Sequence, residues 1–193
     1  MKRKILNLLL LVGCGVLLAG VAFLQIAPQN TPATVSLQGP TQVRIGDTFT
    51  LFVRVDLTGV TTPGSNQPAA LGSYVIPISF DRSLLEFVSA GGGETPAFAA
   101  GPASVTNALT ANARGVLTLV GAQTASDAVT GVVGAASVRL RVIATQAGST
   151  TVSVHPALAA PGLSLASAVR LGMPAEPDRI AAVNQTSTIQ IIR

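Results

Sequence analysis

Residues 48–57 read TFTLFVRVDL, with Phe49, Leu51, Val53, Val55 and Leu57 at every second place. A period of two puts one set of side chains on each side of an extended chain, so this stretch predicts a strand with one buried face. Phe52 is the exception, an aromatic ring on the polar side. The same alternation recurs in short pieces. TVSLQ at 34–38, VRI before Gly46-Asp47, and Tyr74, Ile76, Ile78 and Phe80 within 71–90 all carry it. So do GVLTLVGA at 115–122, Val138, Leu140 and Val142 within 134–145, STTVSVH after Gly148, and the closing TSTIQII. A further strand is expected near 103–109. Val138, Leu140 and Val142 are expected to face inward, and Arg139 and Arg141 outward.

Turn chemistry separates these pieces. Gly39-Pro40, Gly46-Asp47 and Gln146-Ala147-Gly148 are tight turns, and GVTTPGSNQPAA at 59–70 is a loop. GGGETPAFAAGP at 91–102 reads as a flexible loop, and 156–185, with four prolines, as irregular chain. Between Phe80 and Leu84 stands Asp-Arg-Ser. An Asp opening a turn accepts hydrogen bonds from the backbone two residues on, so Asp81 is expected to bend the chain and return Leu84, Leu85 and Phe87 to a sheet. No amphipathic helix and no fixed-period repeat is evident. About nine to ten short strands predict an all-β sandwich or jelly roll.

Residues 1–27 differ from the rest. Lys2, Arg3 and Lys4 form a basic head, and Ile5 to Ala27 follow without a charge. As a helix this run spans roughly 34 Å, enough to cross a bilayer core with the basic end in the cytoplasm. Three readings remain open: a retained signal anchor, a signal peptide cut after Ala22, or a lipoprotein signal in which Leu11-Val12-Gly13-Cys14 is the lipobox. Each delivers the remainder outside the cytoplasm and gives the chain a membrane contact through its N-terminal segment. Residues 28–33 read as a linker and 34–193 as the folded domain.

Composition narrows the chemistry. Hydrophobic residues make up 48% of the chain and charged residues 10%, which favours a packed core over disorder. The net charge of +4 owes much to the head; residues 28–193 carry nine Arg against eight carboxylates, no footprint for nucleic acid. The single cysteine, Cys14, lies in the apolar head, so no intrachain disulfide can form.

The ordered cues resemble a cohesin module. They are Gly46-Asp47 before an alternating strand, then Ile76-Pro77-Ile78-Ser79-Phe80-Asp81 followed by Leu84-Leu85-Glu86-Phe87. Gly115 to Leu119, Gly134 to Val142, Gly148 to Val152 and Asn184 to Ile191 complete the order. The resemblance spans roughly 34–192; Arg82 stands where the family commonly has Pro. It implies a jelly roll without catalysis or cofactor. Its partner would be a dockerin-like module of polysaccharide-degrading enzymes, held on the exposed face of the sheet that includes the strand before the Asp corner. That face carries Ser73, Val75, Pro77 and Ser79. Many dockerin-binding cohesins have Asn and Asp where this chain has Ser73 and Val75. Pro77 lacks an N–H, which places its strand at a sheet edge or a bulge.

Reactive groups are sparse. His155 is the only histidine, and no His/Cys/Asp spacing suggests a metal. Gly91-Gly92-Gly93 lacks the Lys and helix of a phosphate loop. Asp47, Asp81 and Glu86 read as structural, while Glu94 and Asp127 lie in loops. Asn184-Gln185-Thr186 matches a glycosylation acceptor by chance in a bacterial-looking chain. Two other roles fit such a domain: binding a polysaccharide, or a structural, adhesive place in the cell envelope. Sugar binding usually calls for exposed aromatic rings. There is no Trp, Tyr74 is expected inward, and Phe52 and Phe98 are the rings expected outside the core.

Overall fold

Alternating segments become thirteen strands in the computed structural model, which describes residues 31–62, 66–123, 128–154, 170–173, 176–180 and 182–193. They are β1 (Ala33–Gln38), β2 (Gln42–Arg44), β3 (Thr48–Asp56), β4 (Ser73–Phe80), β5 (Leu85–Gly92), β6 (Ser104–Val105) and β7 (Val116–Ala122). The rest are β8 (Val132–Val142), β9 (Gly148–Val154), β10 (Arg170–Met173), β11 (Glu176–Ile180), β12 (Ala182–Asn184) and β13 (Thr186–Ile192). One helix, α1 (Ala108–Arg114), lies between β6 and β7. The first sheet has the order β12-β1-β3-β8-β5. The second has eight strands, with β4 between β7 on one side and β9 and β10 on the other, and continues through β13 to β2. Two sheets packed on one core make an all-β sandwich.

Burial follows the alternation. Leu51, Val53 and Val55 from the first sheet meet Ile76, Ile78, Leu117, Leu119 and Ile189 from the second, all fully buried. The closing strand repeats the rule: Ile189 and Ile191 face in while Thr188 and Gln190 face out. Arg139 and Arg141 are exposed, as expected.

Several expectations are corrected. The strand count exceeds nine to ten because short pairings such as β6, two residues long, close the edges. The strand expected over 103–109 stops at Val105, and the chain turns into α1. Asn107 caps that helix by accepting from the Leu109 N–H at 2.9 Å, and Gly115 ends it in the left-handed region at φ 68°. Within the stretch expected to be irregular, 156–169 lies outside the described residues, whereas 170–173, 176–180 and 182–184 are strands: β10 and β11 pair antiparallel, and β12 joins β1 in parallel. Ala33, placed in the linker from sequence, opens β1 and is buried.

The Gly-rich stretch is not a flexible loop. β5 continues through Gly92, and a Cβ on Gly92 or Gly93 would lie 2.0 Å from the carbonyl oxygen of Ala99 or Gly134. Pro96–Phe98 form a 3-10 turn that buries Phe98, so that ring is not available at the surface. Residues 1–27, expected to be a helix, Cys14, residues 28–30, Asp127 and His155 lie outside the described residues. Among the described residues no helix is long and apolar enough to cross a membrane.

Candidate docking face

β4 carries the four residues singled out from sequence. Ser73, Val75 and Ser79 are half-buried on its outward side, beneath which Tyr74, Ile76, Ile78 and Phe80 enter the core. Pro77 is buried, which corrects its assignment to the exposed set. The edge assignment also fails, since β4 pairs with three strands. The Phe80 N–H donates to the Gly115 carbonyl on the β7 side. By the period of two, the imide nitrogen of Pro77 points the other way. There β9 pairs with Ile78–Phe80 and β10 with Ser73–Val75, leaving Ile76 and Pro77 opposite neither. A residue without an N–H therefore fits inside a central strand at the seam between two partners.

Register adds residues that β4 alone did not reveal. Val75 stands opposite Val120, Pro77 opposite Thr118, Ser79 opposite Val116 and Ser73 opposite Ala122. Val120 is 37% exposed. On the other side Ser79 faces Ser153, whose hydroxyl lies 3.2 Å from that of Thr186. Ser149 and Thr151 continue β9, opposite Gln190 and Thr188 of β13. The signal for these positions was in the sequence, because Leu117, Leu119, Val152 and Ile189 mark the buried phase. Which strands became neighbours was not. Strands β4, β7, β9 and β13 contain no charged residue. Arg170 of β10 stands opposite Val75 in the register at the border of this face.

The corner after β4 is held as its Asp predicted. Asp81 Oδ1 accepts from the Ser83 N–H at 2.8 Å and from the Ser83 hydroxyl at 2.6 Å. These bonds hold its carboxyl below the ordinary range, the hydroxyl bond first. The role is structural. Beside the corner an open cleft of about 350 Å³ is lined by Ser83, Leu84, Ile143, Thr145, Gln146 and Ile191 among others, with no titratable side chain. Among the described residues no group of three His, Cys, Asp or Glu could hold a metal ion.

This sandwich, with its Asp corner after a central strand, has the fold of cohesin modules. A cohesin module of a family 33 glycoside hydrolase from Clostridium perfringens superposes with a TM-score of 0.57 at 9% identity, over 83% of this chain and 97% of that one. A type II cohesin domain from the Acetivibrio cellulolyticus cellulosome gives 0.54 at 12% identity, over 82% and 95%. A type I cohesin–dockerin complex from Clostridium thermocellum gives 0.53 at 13% identity, over 84% and 100%. No protein-family model matches the sequence, and no curated protein matches it.

Proposed function

We propose that this chain is a non-catalytic jelly-roll docking module that works outside the cytoplasm and holds a dockerin-type protein, serving polysaccharide degradation. The observation that carries the reading is the outward side of β4 and β7. Val75 and Val120 form an apolar centre there, and Ser73, Ser79 and Thr118 surround it. A small apolar centre with a hydroxyl rim suits a protein partner that excludes water from its middle. The fold shared with a solved cohesin–dockerin complex supports the choice of partner. The basic head and apolar run of residues 1–27 support the location.

Titration calorimetry of the full chain against dockerin modules encoded in the same genome tests this. At least one module should bind, and Val75→Arg should weaken it about tenfold or more, as expected at the centre of an interface. Unchanged affinity in Val75→Arg removes this face from the proposal. Failure of every dockerin to bind overturns the docking function itself.

A further inference from the structure

The outward side of the first sheet differs from the docking face. It carries Arg54, Asp56, Glu86, Arg139 and Arg141. Two of its cations are already neutralised. Arg54 donates through Nε and Nη2 to Glu94 at 3.0 and 2.7 Å, and Arg141 engages Glu86 with the same two-pronged geometry. Asp56 is turned to the Thr58 N–H at 2.8 Å. Arg139 is exposed and, among the described residues, has no carboxylate partner.

Phe52 shares this side. Tyr74, Phe49, Phe80, Phe87 and Phe98 are all buried, whereas Phe52 is only half-buried. Its row across four strands is Gln38, Phe52, Ser137 and Gly91. The next row places Thr50, Arg139 and Ser89 side by side. Small residues therefore flank the ring toward β5. Arg139 lies on its diagonal, about 7–8 Å away along the sheet. A hexose ring bridges such a gap.

We propose that this face is a second binding site, for a polysaccharide carrying uronic acid units. The C–H face of one sugar stacks on the Phe52 ring. The carboxylate of the same or the adjoining unit takes the fork of Arg139 in paired hydrogen bonds. Gln38, Thr50, Ser89 and Ser137 lie within the two rows to serve the hydroxyls. Nucleic acid also offers anions and flat rings, but it needs several free cations along one track, and among the described residues this face leaves one. The site is on the sheet opposite the docking face and does not depend on the docking proposal.

Affinity electrophoresis of the full chain in mild detergent tests the site, with gels containing polygalacturonate, its methyl ester, xylan or single-stranded oligonucleotide. Polygalacturonate should retard the chain, and the methyl ester and xylan should do so far less. Arg139→Gln, an exposed position that leaves the core untouched, should weaken the retardation about tenfold, the loss expected for a hydrogen bond to a charged group. Phe52→Leu should weaken it by a similar factor, and Val75→Arg should leave it unchanged. No retardation by polygalacturonate overturns the proposal. So does full retardation of Arg139→Gln, equal retardation by the oligonucleotide, or loss of binding in Val75→Arg.

Discussion

Tyr74 stands on the second sheet and reaches across the core to the first, where its hydroxyl donates to the Ala135 carbonyl at 3.1 Å. The reason lies in β8. The register with β3 jumps from Ala136 opposite Val53 to Gly134 opposite Arg54, so Ala135 is the extra residue of a bulge. Its carbonyl accepts from a side chain of the other sheet. The ring passes over Gly121, where a Cβ would lie 2.3 Å from it, and packs on Phe98 with centroids 5.7 Å apart. Burial pushes the Tyr74 phenol up to about 12 from 10.0. A raised value means that the folded state holds this proton more tightly. Tyr74 therefore contributes stability that is complete below about pH 10 and is lost as pH rises toward 12. Tyr74→Phe should cost about 1–2 kcal/mol at neutral pH in urea denaturation, because the buried carbonyl loses its donor. The variant should also lack the alkaline loss of stability expected of the natural protein. Thr150 predicts the opposite sign. It is 5% exposed, and its hydroxyl has no partner among the described residues. Thr150→Val keeps the shape and removes the orphan group, so the urea midpoint should rise by an amount equivalent to about 1 kcal/mol.

β5 is an edge strand of the first sheet, and unpaired edges invite other chains to add. α1 covers part of this edge. Asn112 accepts from the Phe87 N–H at 2.6 Å and donates to the Phe87 carbonyl at 3.0 Å, as a neighbouring strand would. The next residue, Val88, is a bulge, since Phe87 pairs with Leu140 and Ser89 with Arg139. Farther along, the Gly93 N–H donates to Phe98 and the 3-10 turn shields the strand end. Asn112→Ala should destabilise the fold by about 2 kcal/mol, two half-buried hydrogen bonds. It should also speed amide exchange at Phe87 more than at Leu140. The helix was not legible in the sequence because it is short and buries a single residue, Ala111. Its inward positions, Ala108, Ala111 and Asn112, are small or polar, so they show no apolar period to detect. The Asp81 corner, by contrast, was legible because its hydrogen bonds join residues two apart. Local chemistry decided it, and no distant contact was required.

At the scale of the molecule, residues 31–193 form one compact unit holding every described strand, and their core is a single continuous cluster. A chain starting at Thr31 should therefore unfold in one cooperative transition, with a thermal midpoint within about 3 °C of the full chain by calorimetry. Separate transitions would contradict this. The sandwich distributes charge unequally, with Arg and Glu pairs outside the first sheet and hydroxyl and Val residues outside the core strands of the second. The sequence by itself determined the phase of the longer strands, the Asp81 corner and the scarcity of reactive groups. Alternation and turn propensity act over a few residues and leave their mark in neighbouring letters. Only the tertiary structure decided that Pro77 lies in a central strand, that Val120 and Ser153 flank β4, and that Phe52 lies diagonal to Arg139 on one side of the first sheet. These facts depend on which strands pair and in what register. Register is set by the fit of whole buried faces across the core, and no single segment encodes that fit.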